Sequence, residues 1–200
     1  MRAIVAGGGI GGLMAALALS RRGAVVEVFE QAPAITEVGA GLQISPNGYH
    51  VFEALGLGAS LAEIGTRAEA VELRDFRGRL VLRLDLGRLG PAMPYHFVHR
   101  ADLIGLLAQE ATRAGATVTT AARVARSEDT GAEVRVHLGD GTVRSGDVLV
   151  GADGLKSVVR AELNGPEAPF FTGQVAWRAT VPAPKAMRPV ATVWMGPGRH

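Results

Sequence analysis

Glycines stand at positions 7, 9 and 12 of this chain, in the spacing G-x-G-x-x-G, and a carboxylate follows at Glu30. Glycines so placed let the chain turn tightly, let backbone N–H groups approach an anion, and let the next helix pack close to a sheet. An acid one strand later can accept hydrogen bonds from a ribose hydroxyl. The chemistry this set performs is the holding of a dinucleotide. Because a carboxylate that accepts from a 2′-hydroxyl repels a 2′-phosphate, the site is expected to take FAD or NAD and not NADP. A second candidate is Asp153-Gly154. Its two readings are a helix N-cap with a turn glycine and a cofactor contact.

The elements needed to position these residues are legible around them. Arg2 to Ala6 is a short β-branched, apolar run. It predicts a strand that breaks into the glycine turn. A helix over roughly Ile10 to Arg22 follows, with Leu13, Leu17 and neighbouring alanines inward and Gly23 as its stop. Its free N–H groups aim at the anion. Ala24 to Phe29 reads as a buried parallel strand ending on Glu30. Val148-Leu-Val150 is another buried strand and runs directly into Asp153.

Composition bounds the rest. Two hundred residues, 48% hydrophobic and 20% charged, describe a globular chain of one or two domains. The net charge of +2 and the pI near 9.5 come from scattered arginines, so nucleic acid is not an expected partner. There are no cysteines, which removes disulfides and thiolate chemistry and fits a reducing, cytoplasmic location. The five histidines are dispersed, and no metal site is expected. The glycine cluster argues against a signal peptide over residues 1–20, and no run is long enough for a membrane span.

Along the remaining chain, Val38 to Ile44 reads as a glycine-rich loop. Ser45-Pro46 starts a helix with Val51, Leu55 and Leu57 in its body and Gly56 at its end. From Ala68 the apolar period becomes that of strands, giving a hairpin about Arg77-Gly78, with Leu80, Leu82, Leu84 and Leu86 on one face. Such an antiparallel piece belongs to a second domain inserted in the first. His99 to Leu103 begins a helix with Leu103, Leu106 and Leu107 inward, and Ala116 to Thr119 is the next strand. Hairpins turn at Asp129-Thr-Gly131 and Gly139-Asp-Gly141. Asn164-Gly-Pro166 ends the helix after Asp153, and Gln174 to Val181 and Val190 to Met195 are expected as antiparallel strands.

Three stretches are family-like when taken together: Gly7-Gly-Gly-Ile-Gly-Gly12 with Glu30, Val38-Gly-Ala-Gly-Leu-Gln-Ile-Ser-Pro46, and Gly151-Ala-Asp-Gly-Leu-Lys-Ser-Val-Val-Arg160. They resemble the FAD-dependent aromatic hydroxylases of the para-hydroxybenzoate hydroxylase type, nearest the salicylate or 3-hydroxybenzoate 6-hydroxylase branch. Asp153, Gly154, Ser157 and Arg160 match that family's Asp-Gly motif. His99 to Leu103 looks like its segment with a flavin-contacting arginine, and Trp177-Arg178 and Gly196-Pro197 stand at family-like places.

The resemblance implies an α/β fold: a Rossmann-like FAD/NAD(P)-binding domain over 1–67 and 97–168, interleaved with a largely antiparallel β substrate domain over 68–96 and 169–200. It implies FAD contacts at Gly7, Gly9, Ile10, Gly11, Gly12, Glu30, Gln43, Arg100, Val124, Asp153 and Gly154, and a base at His200 facing a phenol. It also implies NADH or NADPH as reductant, and O2 with a small aromatic as substrates. In such enzymes the nicotinamide reduces the flavin, and the reduced flavin with oxygen hydroxylates the phenol. The oligomeric state stays open, a dimer among the options. Family members run to roughly twice this length, so the chain reads as the N-terminal part of a longer enzyme, with both domains incomplete and no turnover of its own. The rivals are another FAD-dependent oxidoreductase of the same fold, such as a halogenase or reductase, and a non-catalytic dinucleotide-binding module.

Overall fold

The computed structural model describes residues 1–35, 40–182 and 187–198. The chain opens with β1 (Arg2–Ala6), α1 (Ile10–Ser20) and β2 (Val25–Phe29). There follow β3 (Gly41–Ile44), α2 (Pro46–Ala54), α3 (Gly58–Ile64), β4 (Gly65–Arg67), β5 (Ala70–Asp75), β6 (Leu80–Asp85), a short helical turn at Leu86–Leu89, β7 (His96–His99) and α4 (Arg100–Arg113). The remainder is β8 (Thr117–Thr119), β9 (Val124–Asp129), β10 (Val134–Leu138), β11 (Val143–Gly146), β12 (Val148–Gly151), α5 (Val158–Asn164) and β13 (Val190–Met195). Two compact units divide the chain: Met1–Val38 with Leu103–Trp177, and Gly39–Asp102 with Arg178–His200.

The first unit is built on a parallel sheet in the order β12-β1-β2-β8. The chain moves from β1 outward through β2 to β8 and then returns to the other side of β1 as β12. That makes β1 the place where the strand order reverses. Ala3, Ile4, Val5 and Ala6 are fully buried, which is why this segment is apolar without alternation. Val5 faces α1, since a β-carbon on Gly12 would stand 3.3 Å from its Cγ1. Ile4 and Ala6 pack on the opposite face with Phe29, Val124, Val136, Leu138 and Val159. Three of these come from the antiparallel meander β9-β10-β11, whose turns lie where the glycines predict them.

The second unit holds an antiparallel sheet β3-β7-β4 and a sheet in the order β13-β5-β6. In the latter, Val71 pairs with Leu84 and Leu73 with Leu82 on one face, while Glu72 pairs with Arg83 on the other. Glu72 is buried and accepts hydrogen bonds from Arg83 and from Arg74 Nη2 at 2.7 Å. The Arg74 guanidinium holds the Glu72 carboxyl below the usual carboxylate range against the opposing effect of burial, and Arg83 adds to it.

Val190–Met195 runs parallel to β5, with Val190 opposite Ala70. Gln174 to Val181 forms neither helix nor strand. Of the expected loop, Gly41–Ile44 is a strand, and Val38 and Gly39 lie outside the described residues. In α2 the buried residue is Phe52 and not Val51, which is half exposed. Ser45 occupies the N-cap position, but its hydroxyl donates to Asn47 Oδ1 at 2.5 Å and caps no N–H.

Candidate functional site

The first unit carries a cleft of about 440 Å³, lined by Gly7 and Gly9 after β1, Phe29 at the end of β2 with Glu30 and Gln31 after it, Ala152, Asp153, Gly154, Lys156 and Val158 after β12, and Arg123 and Val124. It therefore lies outside the carboxyl ends of three parallel strands, at the strand around which the order reverses. Open α/β sheets bind their ligands at this place, and the volume is ordinary for a small-molecule pocket, about 300–1,000 Å³.

Each glycine of the turn has a distinct geometric reason. Gly7 sits at φ +102°, and a β-carbon there would stand 2.3 Å from the Ala152 carbonyl oxygen. The turn after β1 thus packs directly on the segment after β12. Its N–H donates to the Phe29 carbonyl at 2.8 Å, which ties the same turn to the end of β2. Gly12 is buried in α1, where a β-carbon would fall 1.9 Å from the Gly7 carbonyl oxygen. Gly9 differs, because nothing lies within 4 Å of the position its β-carbon would take. The open space there is on the cleft side of the turn.

Gly9 is also the N-cap of α1, with extended backbone and no side-chain cap, and the first turn holds no acid. The leading N–H groups of an eleven-residue helix are therefore left to an anion, with nothing negative in that turn to oppose it. Ile10 and Gly11 are the first residues of this helix.

Glu30 is held by two backbone donors. Gly8 N–H reaches Oε2 at 2.6 Å and Ala32 N–H reaches Oε1 at 2.8 Å. The carboxylate locks the glycine turn to the end of β2, and each oxygen retains a lone pair for a hydroxyl donor.

Asp153 is a helix cap in fact. Its Oδ2 accepts from Val158 N–H at 2.7 Å, and its Oδ1 accepts from Ser157 Oγ at 2.5 Å. Ser157 in turn caps Arg160 N–H at 2.9 Å, and Arg160 Nη2 donates to the Leu155 carbonyl at 2.7 Å. Gly154 supplies the left-handed turn, at φ +78°. The Asp-Gly, Ser and Arg positions thus form one closed set of hydrogen bonds, which fixes the loop on the cleft wall.

The structure brings Gly7, Gly9, Glu30, Val124, Asp153 and Gly154 together in the cleft, with Ile10, Gly11 and Gly12 just behind it in α1. Gln43 and Arg100 belong to the second unit. There, Gln43 Oε1 accepts from Tyr95 Oη at 2.8 Å, and Arg100 N–H donates to the Ala40 carbonyl at 3.0 Å across the start of β3. His200 lies outside the described residues. Two cationic residues on the cleft wall escaped the sequence reading, Arg123 and Lys156. The available signals were adjacency to Val124 and a place inside the Asp-Gly motif.

The chain is 41% identical to 3-hydroxybenzoate 6-hydroxylase of Polaromonas naphthalenivorans (strain CJ2), over 98% of this chain and 51% of that protein. It is 40% identical to 3-amino-4-hydroxybenzoate 2-monooxygenase of Streptomyces cremeus, over 100% of this chain and 52% of that one. Among solved structures, PqsL of P. aeruginosa in complex with 2-aminobenzoylacetate superposes with a TM-score of 0.74 at 27% identity, covering 84% of this chain and 47% of that one. The chain spans about half the length of the curated relatives it matches. The family model described as FAD binding domain matches residues 1–195. Since that match runs through the glycine turn, the Glu30 lock and the Asp-Gly loop alike, the chain belongs to the FAD binding domain family.

Proposed function

We propose that this chain forms the flavin-binding part of a monooxygenase that hydroxylates a small phenolic or benzoate-like aromatic, using NADH or NADPH and O2, in a reducing cytoplasmic setting. The observation that carries the reading is the empty approach at Gly9, at the head of α1 and beside the locked Glu30. A β-carbon there would occupy the space a pyrophosphate needs, and the residues around it fit FAD.

In this reading the N–H groups opening α1, from Ile10 and Gly11 onward, hold the pyrophosphate, with Gly7 and Gly12 keeping the turn beneath it. Glu30 accepts from the adenosine ribose, the Val124 backbone borders the adenine, and Asp153 with Gly154 fixes the opposite wall. Gln43 and Arg100 are assigned to the flavin end. His200 is assigned as the base that withdraws a phenol proton and enriches the ring for attack. Residues 1–67 and 97–168 serve the flavin, and 68–96 with 169–200 the substrate. When bound, FAD supplies the redox chemistry by which a nicotinamide's electrons and O2 hydroxylate the ring. The chain's own residues bind, orient and exclude water.

The relatives named for 3-hydroxybenzoate and for 3-amino-4-hydroxybenzoate as substrates support the substrate class. The test is purification of the protein with its natural full-length sequence. Bound FAD should be visible in its absorption, and a hydroxybenzoate should stimulate NAD(P)H oxidation with formation of a hydroxylated product. A flavin-loaded protein that oxidises NAD(P)H without hydroxylating any phenol would leave only a general FAD-dependent oxidoreductase. A protein that takes up no FAD would overturn the reading entirely.

A further inference from the structure

Resting on the dinucleotide reading of the cleft, the geometry points to Arg123 as the residue that recognises adenosine there, through its guanidinium plane lying on the purine. Arg123 lines the cleft together with Glu30, Gln31 and Val124. Its backbone is fixed on both sides. Ala122 N–H donates to the Glu30 carbonyl at 2.8 Å, and Gly139 N–H donates to the Arg123 carbonyl at 2.8 Å. The arginine therefore leaves the backbone from a rigid point next to the ribose acid. Val124, its neighbour, is buried in the core. Since successive side chains alternate at the start of β9, Arg123 is turned outward toward the cleft and is exposed.

Among the described residues its guanidinium makes no hydrogen bond and no ion pair, in contrast to Arg74, Arg83 and Arg160. A planar cation beside the ribose end, unengaged by protein carboxylates, suits a flat π surface such as adenine. Glu30 already carries the negative charge at this end, so a 2′-phosphate is disfavoured and stacking is the contact left to the arginine. Because its side chain is exposed and makes no hydrogen bond among the described residues, its replacement should leave the fold intact.

The experiment is titration of the protein and its Arg123→Ala and Arg123→Lys variants with ADP, 2′-phospho-ADP and inorganic pyrophosphate, by calorimetry. Circular dichroism confirms that each variant is folded. Arg123→Ala should weaken ADP about three- to thirty-fold and leave pyrophosphate unchanged, and Arg123→Lys should recover little of the loss. Equal loss for ADP and pyrophosphate, restored by lysine, would make Arg123 a phosphate-neutralising charge and overturn the proposal. Tighter binding of 2′-phospho-ADP than of ADP by the unaltered protein, or unchanged ADP affinity in Arg123→Ala, would overturn it as well. If the unaltered protein binds no ADP, the dinucleotide reading itself fails, and this one with it.

Discussion

At the glycine turn, two missing β-carbons have opposite consequences. Gly12 lacks one because the Gly7 carbonyl oxygen would be 1.9 Å away, so Gly12→Ala must push α1 off the sheet. Overpacking of this kind costs about 1–3 kcal/mol, occasionally more. Gly9 has ordinary extended backbone and open space in front of it, so Gly9→Ala should change stability by at most about 1 kcal/mol, chiefly through the poorer N-cap. FAD affinity should nevertheless fall at least about tenfold in Gly9→Ala, because a methyl group then stands where the pyrophosphate approaches. Thermal denaturation and flavin titration of the two variants separate fold from ligand. If Gly9→Ala bound FAD normally, the pyrophosphate would not lie at this turn. These positions were legible in the sequence because the G-x-G-x-x-G spacing marks both, Gly12 for close packing on the turn and Gly9 for the open approach in front of it. Arg123 and Lys156 were not. Beyond their neighbours in the sequence, nothing distinguishes these two exposed cations from the rest of the 21 lysines and arginines, and only the fold brings them to the cleft wall.

Among the elements, α5 and β7 make contrasting demands. The helix α5 begins under a double cap: Asp153 accepts at Val158 N–H and Ser157 accepts at Arg160 N–H. Asp153→Ala should cost about 1–2 kcal/mol, as lost helix caps do. Urea unfolding without nucleotide is the measurement, and an unchanged midpoint would show that the cap contributes nothing. In β7, His96 is buried and stacks on Tyr49 of α2 at 5.6 Å between ring centroids. Burial, and secondarily the charge of Arg67 on β4, hold its imidazole below the usual value of 6.5. With its folded-state value depressed, it is neutral in both states above 6.5. As pH falls from there, the unfolded chain takes up a proton that the fold resists, so stability is lost. His96→Phe keeps a ring on Tyr49 and should flatten the stability profile between about pH 7 and 5; a variant whose urea midpoint falls as steeply would place the titration elsewhere. The run from β1 to β2 was readable because strand, turn and helix signals are local. The direction of β13 was not, since alternation marks a strand without saying which way its partner runs. The short elements α3 and β4 offer too few residues for a period to show.

For the whole molecule, the division into two compact units makes a prediction about where ligand binding is felt. The groups assigned to adenosine and pyrophosphate, from Gly7 through Glu30 to Val124, belong to Met1–Val38 with Leu103–Trp177. Within that unit the turn after β1 is tied to β2 by Gly7 and Glu30 and packs on the segment after β12. A ligand seated on the turn therefore opposes opening of all three strands together. The sheet β13-β5-β6 is held by its own contacts, the Val71–Leu84 and Leu73–Leu82 pairs and the Glu72 cluster, none of which touches the cleft wall. At a concentration about 100 times its dissociation constant, a ligand stabilises the form it binds by about 2.7 kcal/mol, or roughly a hundredfold in an opening equilibrium. ADP, which carries adenosine and pyrophosphate without flavin, should accordingly slow amide hydrogen exchange across β1, β2 and β12 by up to that factor. Exchange in β5, β6 and β13 should stay as it was. Hydrogen–deuterium exchange followed by mass spectrometry resolves these segments. Uniform protection of both units would show that they open as one, and protection confined to β5, β6 and β13 would put the adenosine site on the wrong unit.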